Sequence, residues 1–157
     1  TLSRIRETVF NWIRQDIVMA ECEVLDLFCG SGVLGLEAMS RGAVSACFVD
    51  YNMKSLAGIE SLLTRLNACH KATLINEEVS SWLGHNVGKQ YDLVFLDPPF
   101  ALDNPAIYLS KVKHLVKKNG LVYLENKSSA SITLDSEVKC WRSARAGTVY
   151  YGLYRIL

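Results

Sequence analysis

The sequence predicts an α/β fold, a mostly parallel seven-stranded sheet with helices on both faces and an antiparallel hairpin strand at its C-terminal end. Three observations predict it. From residue 23 to residue 126 short apolar runs alternate with segments of helical periodicity, the pattern of repeated βα units. From residue 138 the alternation stops, and VKCWRSARAGTVYYGLYRIL reads as two strands joined by a tight Ala146-Gly147 turn. Between the first strand and the helix that follows stands CGSGVLG, a glycine turn of the kind found where ligands meet the carboxyl ends of parallel strands.

Each element has its own signal. TLSRIRETVFNWIRQ places Ile5, Val9, Trp12 and Ile13 on one stripe, which predicts a helix over 3–15 with Ser3 as its N-cap. EVLDLF is a short apolar strand, and LGLEAMSRG a helix closed by Gly42. SACFVD is the second strand. NMKSLAGIESLLTRLNA carries Leu56, Ile59, Leu63 and Leu66 at three- and four-residue steps and is the clearest amphipathic helix. KATLIN forms a third strand, SSWL a short helix and YDLVFLD a fourth strand. Asn104 and Pro105 then start a helix expected to run through Lys117, and GLVYLEN is the fifth strand. The elements make one domain over 1–157. Its first residue is not methionine, and the numbered chain is expected to begin inside a longer gene product.

Composition sets bounds on function. Of 157 residues 50% are hydrophobic and 21% charged, enough for one sizeable core, and the net charge of +1 exerts no global pull on nucleic acid or membrane. An anionic partner must therefore be held locally, although basic residues such as Arg4, Lys111 and Arg145 also read as ordinary solvated faces. The five cysteines form no C-x-x-C pair and the three histidines are scattered, which argues for a reducing compartment and against a disulfide framework or a metal site. No apolar run approaches the roughly 20 residues of a membrane span and no signal-peptide pattern is present, so a cytoplasmic location is expected.

The glycine turn fits G-x-G-x-x-G through Gly30, Gly32 and Gly35, and Asp50 ends the second strand 20 residues after Gly30, the spacing of a ribose-binding acid. Alone, this would indicate a dinucleotide. Asp26 counts against that, since its carboxylate precedes the turn near the place a pyrophosphate would occupy. A ligand with a ribose and a cationic or zwitterionic tail suits the turn better. A plain βα turn, with Asp50 or Glu78 serving only as helix caps, is the alternative. Cys29, beside the turn, reads as a packing residue.

At this point the residues resemble a known family. LDLFCGSGVLGLEA, FVDYN and LDPPF, in this order and spacing, resemble motifs I, II and IV of class I S-adenosylmethionine-dependent methyltransferases. RIRETVFNW together with GLEAMSRGA is similar to the RsmD-like 16S ribosomal RNA guanine-N2 methyltransferases, and the resemblance runs from Arg4 to Tyr154. It implies a Rossmann-like fold, S-adenosylmethionine as cofactor and S-adenosylhomocysteine as product. It also implies ribosomal RNA as partner, naked or within a small-subunit ribonucleoprotein particle, and a basic segment ahead of residue 1. The chain is expected to act as a monomer. By resemblance Asp26, Gly30 and Gly32 line the methionine part of the cofactor, Asp50 holds the ribose hydroxyls and Tyr51 lies against the adenine. Glu78 occupies the place where related enzymes carry a shorter Asp or Asn that meets the adenine amino group.

The ending of YDLVFLDPPF then acquires a chemical sense. Proline has no backbone donor and stops a sheet ladder, so Pro98 and Pro99 must leave the strand at once with Asp97 at its tip. An exocyclic amine on a base is a poor nucleophile, because its lone pair is delocalised into the ring. If the Asp97 carboxylate and the Pro98 carbonyl accept its hydrogens, the nitrogen is driven toward tetrahedral geometry, and the prolines fix the carbonyl's direction. Phe100 can stack on a target base that has left its helix. D-P-P-F alone does not choose among guanine-N2, adenine-N6 and other amines of DNA, RNA or protein glutamine. An inactive cofactor- or RNA-binding module, a nicotinamide-dependent enzyme and a purely structural turn at D-P-P-F are the remaining alternatives.

Overall fold

A computed structural model describes residues 2–99, 104, 106–127 and 132–157. Helix α1 (Ser3–Asp16) leads into β1 (Glu23–Leu27), α2 (Val33–Ser40), β2 (Ser45–Asp50), α3 (Met53–Arg65) and β3 (Ala72–Asn76). The chain continues through α4 (Val79–His85), β4 (Tyr91–Leu96), α5 (Ala106–Val112), β5 (Val116–Asn126), β6 (Val138–Ala146) and β7 (Val149–Ile156). The seven strands form one sheet in the order β3-β2-β1-β4-β5-β7-β6. The first five are parallel to one another, and β7 is antiparallel to both β5 and β6. From β1 the chain steps outward to β3 and then returns to β4, so the direction of winding reverses between β1 and β4. In such sheets the crevice beyond the carboxyl ends at that reversal takes the ligand.

Side-chain alternation divides the core into two layers. Ile5, Val9, Phe10 and Ile13 of α1 pack with α2 and α3 on Val24, Phe48, Phe95 and Tyr123. On the other face, Val79, Trp82 and Leu83 of α4 and Leu109 and Val112 of α5 pack on Leu25, Val49, Val94 and Val122. Central strands buried on both faces must be apolar at consecutive positions, which is why EVLDLF and YDLVFL read as continuous hydrophobic runs.

Several boundaries differ from the sequence expectation. Ser3 is the first residue of α1 and not its cap; Leu2 takes that position, with no side-chain cap bond. The helix expected through Lys117 ends at Val112, passes through a 3-10 turn at Lys113–Leu115, and gives way to β5 at Val116. Leu115 is buried at the end of the 3-10 turn and Val116 pairs with Tyr91, and these contacts outweigh the helical spacing. Asn119, at φ 67°, kinks the strand before it settles into register from Leu121. The hairpin turn is Gly147-Thr148, because Ala146 still pairs with Val149, and Gly147 takes the positive φ of 60°. Asn52 caps α3, its Oδ1 accepting from the amides of Lys54 and Ser55 at 3.0 and 3.3 Å.

Helix α1 crosses its face of the sheet toward the far edge. Phe10 lies against Phe95 with ring centroids 5.6 Å apart, and Trp12 stacks on Tyr151 of β7 at 5.5 Å. At its end Asp16 accepts from Trp141 Nε1 at 2.8 Å and from Arg155 Nη2 at 3.1 Å. Removing that carboxylate strands two donors, and Arg155 already has an Nε without a partner among the described residues. Asp16→Ala is expected to lower unfolding stability by about 1–3 kcal/mol, measured by urea titration.

Candidate active site

The crevice is shaped first by backbone. Just past β1, Phe28 takes a positive φ of 55°, and Gly30 and Gly32 follow at 53° and 78°, so the chain doubles back on itself before α2 begins. Only glycine adopts such angles without cost. Gly35 serves a different need: a Cβ there would lie 2.4 Å from Phe48 Cε1, so the helix can approach the sheet only with glycine at this point.

That close approach brings the Gly35 amide to Asp26 Oδ2 at 2.9 Å. Asp26, only 2% exposed, thus ties β1 to one of the otherwise unpaired N–H groups in the first turn of α2. Burial drives its carboxyl well above the usual range; the Gly35 N–H pulls partly back, and the neighbouring Asp97 and Asp50 carboxylates add to the rise. The fold therefore favours the protonated form. For an acid raised in the folded state, the stabilisation is complete below the unfolded value of about 4 and is lost as pH climbs toward the folded value. Asp26→Asn, which keeps an oxygen for Gly35, is expected to raise the melting temperature above wild type at pH 8. The difference should fade toward pH ~4, as a series of thermal melts across pH would show.

Asp50 ends β2 at 8% exposure and is held from two sides. Its Oδ2 accepts from Gly30 N at 2.9 Å and its Oδ1 from Asn52 N at 2.8 Å. One carboxylate therefore positions the glycine turn and the start of α3 together. Tyr51, the next residue, is 70% exposed, and its carbonyl accepts from Asn76 Nδ2 at 2.9 Å. Glu78 caps α4, its two oxygens accepting from the amides of Ser80 and Ser81 at 3.0 and 2.9 Å. Those backbone donors hold its carboxyl below the ordinary range. The helix-cap role the sequence allows for Glu78 is thus present, and a ligand contact would have to share its oxygens.

Beyond β4, Asp97 is half-buried, Pro98 buried and Pro99 exposed. Phe100 lies outside the described residues. Asp97 is close enough to raise both Asp26 and Tyr123 electrostatically. On the other side of the sheet Phe28 meets Tyr108 of α5 edge-on at 5.1 Å, and the Tyr108 hydroxyl lies 3.2 Å from Ser80 Oγ. Cys29 is buried, which pushes its thiol up and fits packing better than nucleophilic chemistry. A groove of about 600 Å³ between α2 and α3, lined by Leu36, Leu62, Leu66 and Lys71 among others, contains none of these carboxylates.

One residue at this end of the sheet is passed over in the sequence reading. Glu125, at the end of β5, is 3% exposed, and its Oε2 accepts from the Tyr123 hydroxyl at 3.0 Å. Its signal was available, since GLVYLEN, like the other central strands, is an apolar run that contains or meets an acid at its carboxyl end. Asp50, Asp97 and Glu125 make this end of the sheet acidic. That suits a cationic ligand and repels a diphosphate.

Strand order, glycine turn and acid-ended strands together define the class I methyltransferase fold, a Rossmann-like sheet closed by an antiparallel hairpin. The sequence model of the family described as Conserved hypothetical protein 95 matches residues 1–155. The chain is 35% identical over 162 residues to Ribosomal RNA small subunit methyltransferase D of Escherichia coli K12, an alignment covering 99% of this chain and 78% of that one. It is 31% identical to the protein of the same name from Buchnera aphidicola of Acyrthosiphon pisum, over 98% of this chain and 80% of the other. The solved structure of the Escherichia coli yhhF protein superposes with a TM-score of 0.89 at 30% identity, covering 99% of this chain and 88% of that chain. The chain belongs to this family, the RsmD-like methyltransferases.

Proposed function

We propose that the chain methylates the exocyclic N2 amine of a guanine in small-subunit ribosomal RNA, with S-adenosylmethionine as methyl donor. The observation that carries this reading is the placement of Asp97 and Pro98 at the tip of β4, next to the winding reversal and beside the turn that Asp50 ties down. Names of relatives that specify ribosomal RNA of the small subunit support the substrate. The acidic lining supports a cationic cofactor.

In this reading Asp50 takes the ribose hydroxyls with lone pairs left over from its two backbone donors. Gly30 and Gly32 let the backbone come close to the methionine part, and Asp26 holds the turn from beneath. Tyr51 offers an exposed ring to the adenine, and Glu78 a carboxylate near it. S-adenosylmethionine supplies a methyl group activated on a sulfonium. Asp97 and the Pro98 carbonyl hold the amine hydrogens, Pro99 stiffens that carbonyl, and Phe100 stacks on the base. The nitrogen lone pair forms the new N–C bond as the C–S bond breaks toward sulfur, leaving S-adenosylhomocysteine. The surplus amine proton passes to Asp97 and then to solvent. A monomer in the cytoplasm acting on naked RNA or on a ribonucleoprotein particle completes the proposal.

The test is to incubate the protein with labelled S-adenosylmethionine and small-subunit particles, or RNA extracted from them, from cells lacking the gene. Digestion to nucleosides should yield labelled N2-methylguanosine. Label in N6-methyladenosine, in protein glutamine or nowhere would overturn the reading.

A further inference from the structure

The terminal hairpin is basic throughout. Residues 138–157 carry four basic side chains, Lys139, Arg142, Arg145 and Arg155, and no acidic one, in a chain whose 17 basic and 16 acidic residues nearly balance. Two of the four are engaged at α1: Arg155 Nη2 donates to Asp16 Oδ1 at 3.1 Å, and Arg142 Nη2 to Gln15 Oε1 at 2.9 Å. Lys139, at the start of β6, lies over the Trp141 ring. Arg145 is different. It is exposed and meets no carboxylate among the described residues. Its guanidinium lies 5.2 Å from the centre of the Tyr150 ring, and its Nε donates to the Gly147 carbonyl at 2.6 Å. Ring and carbonyl fix the guanidinium's plane and leave its two Nη groups without a partner among the described residues.

Register puts this pair on the rim of the candidate active site. Leu96, Leu124, Gly152 and Ser143 form one row across β4, β5, β7 and β6. Two residues nearer the carboxyl ends of the parallel strands, Asn126, Tyr150 and Arg145 form another, beside the point where Pro98 leaves β4. Adjacent strands lie about 4.8 Å apart, so Tyr150 stands about 10 Å and Arg145 about 14 Å from the line of β4 at whose tip Asp97 is placed. The acids of this rim repel a polyanion, so RNA that reaches Asp97 needs a cation at their border. We propose that the hairpin tip is an RNA contact, in which the Arg145 guanidinium takes a backbone phosphate of a nucleotide flanking the target base while the Tyr150 ring holds it flat. A guanidinium fork matches two oxygens of a phosphate, which an ammonium does not. The proposal rests on the ribosomal RNA reading and goes beyond it by naming where the strand beside the reacting base is held.

The experiment compares wild type with Arg145→Gln, Arg145→Lys and Lys139→Gln on the small-subunit RNA or particle that wild type methylates, measuring affinity across a salt series and steady-state transfer. Arg145→Gln is expected to bind about 5- to 10-fold more weakly at low salt and to lessen the slope of log affinity against log salt by about 0.7 to 0.9, the share of one phosphate contact. KM for the RNA should rise by the same factor, with kcat and the affinity for S-adenosylhomocysteine within about twofold of wild type. Arg145→Lys keeps the charge without the fork, so it should restore the salt slope and lose about threefold in affinity. Lys139→Gln removes an equal charge about 20 Å away at the other end of β6 and should leave slope and affinity near wild type. An unchanged slope in Arg145→Gln, or an equal change in Lys139→Gln, would overturn the proposal. A folding defect in Arg145→Gln would show as weakened S-adenosylhomocysteine binding; Arg145→Lys then decides, and wild-type RNA affinity in that variant sinks the proposal. Failure of the underlying reading is seen separately, as absence of N2-methylguanosine from the wild-type product.

Discussion

Asp97→Ala lowers the single-turnover rate of methyl transfer by about 10²- to 10³-fold and leaves affinity for S-adenosylhomocysteine within about threefold of wild type; that is the expected result, on the scale of losing one preorganised polar group from a transition state. The reason lies in where Asp97 stands. It belongs to the tip of β4, while the ribose-side ties run through Asp50 to Gly30 and Asn52 on the other side of β1. In the proposed function, truncation at Asp97 removes an acceptor from the amine, while the bonds by which Asp50 holds the glycine turn stay in place. Quenched-flow transfer assays beside isothermal calorimetry separate the two effects. A variant that transfers at the wild-type rate would mean that the carboxylate does not touch the amine.

Asp50→Ala should show the opposite split. Its carboxylate holds Gly30 N and Asn52 N and, in the proposed function, the ribose as well, so its loss removes a ligand contact and the order of the turn together. Affinity for S-adenosylhomocysteine is expected to fall about 100-fold, the equivalent of two charge-assisted hydrogen bonds. Transfer at saturating cofactor should fall far less. Calorimetry measures the first and single turnover the second; unchanged affinity would remove Asp50 from the cofactor site.

The central strands were legible because burial on both faces forces consecutive apolar residues, as in EVLDLF, SACFVD and YDLVFL. The end of α5 was not, since Leu115 and Val116 satisfy a helical stripe and a strand equally well, and only pairing of Val116 with Tyr91 decides between them. The one-residue error at the hairpin has a similar cause: Ala146 and Gly147 both suit a turn, and the register with Val149 chooses. In the candidate site the glycine turn and the acids at strand ends follow from spacing. What spacing does not reveal is depth. By resemblance Asp26 lines the methionine part of the cofactor; its burial beneath the turn, bonded to Gly35, is something the sequence does not state. Glu125 escapes notice because its burial comes from the strands on either side of β5, a relation that only sheet order supplies.

The bond from Arg155 to Asp16 joins residues 139 positions apart, and the indole of Trp141 reaches the same carboxylate across 125. The first helix and the last strands thus complete each other. During synthesis on the ribosome, α1 emerges long before Tyr151, Trp141 and Arg155 have been made. Contacts of such long sequence separation slow folding and leave sticky surface uncovered meanwhile. The nascent chain should therefore remain sensitive to protease and dependent on chaperones until β7 has emerged.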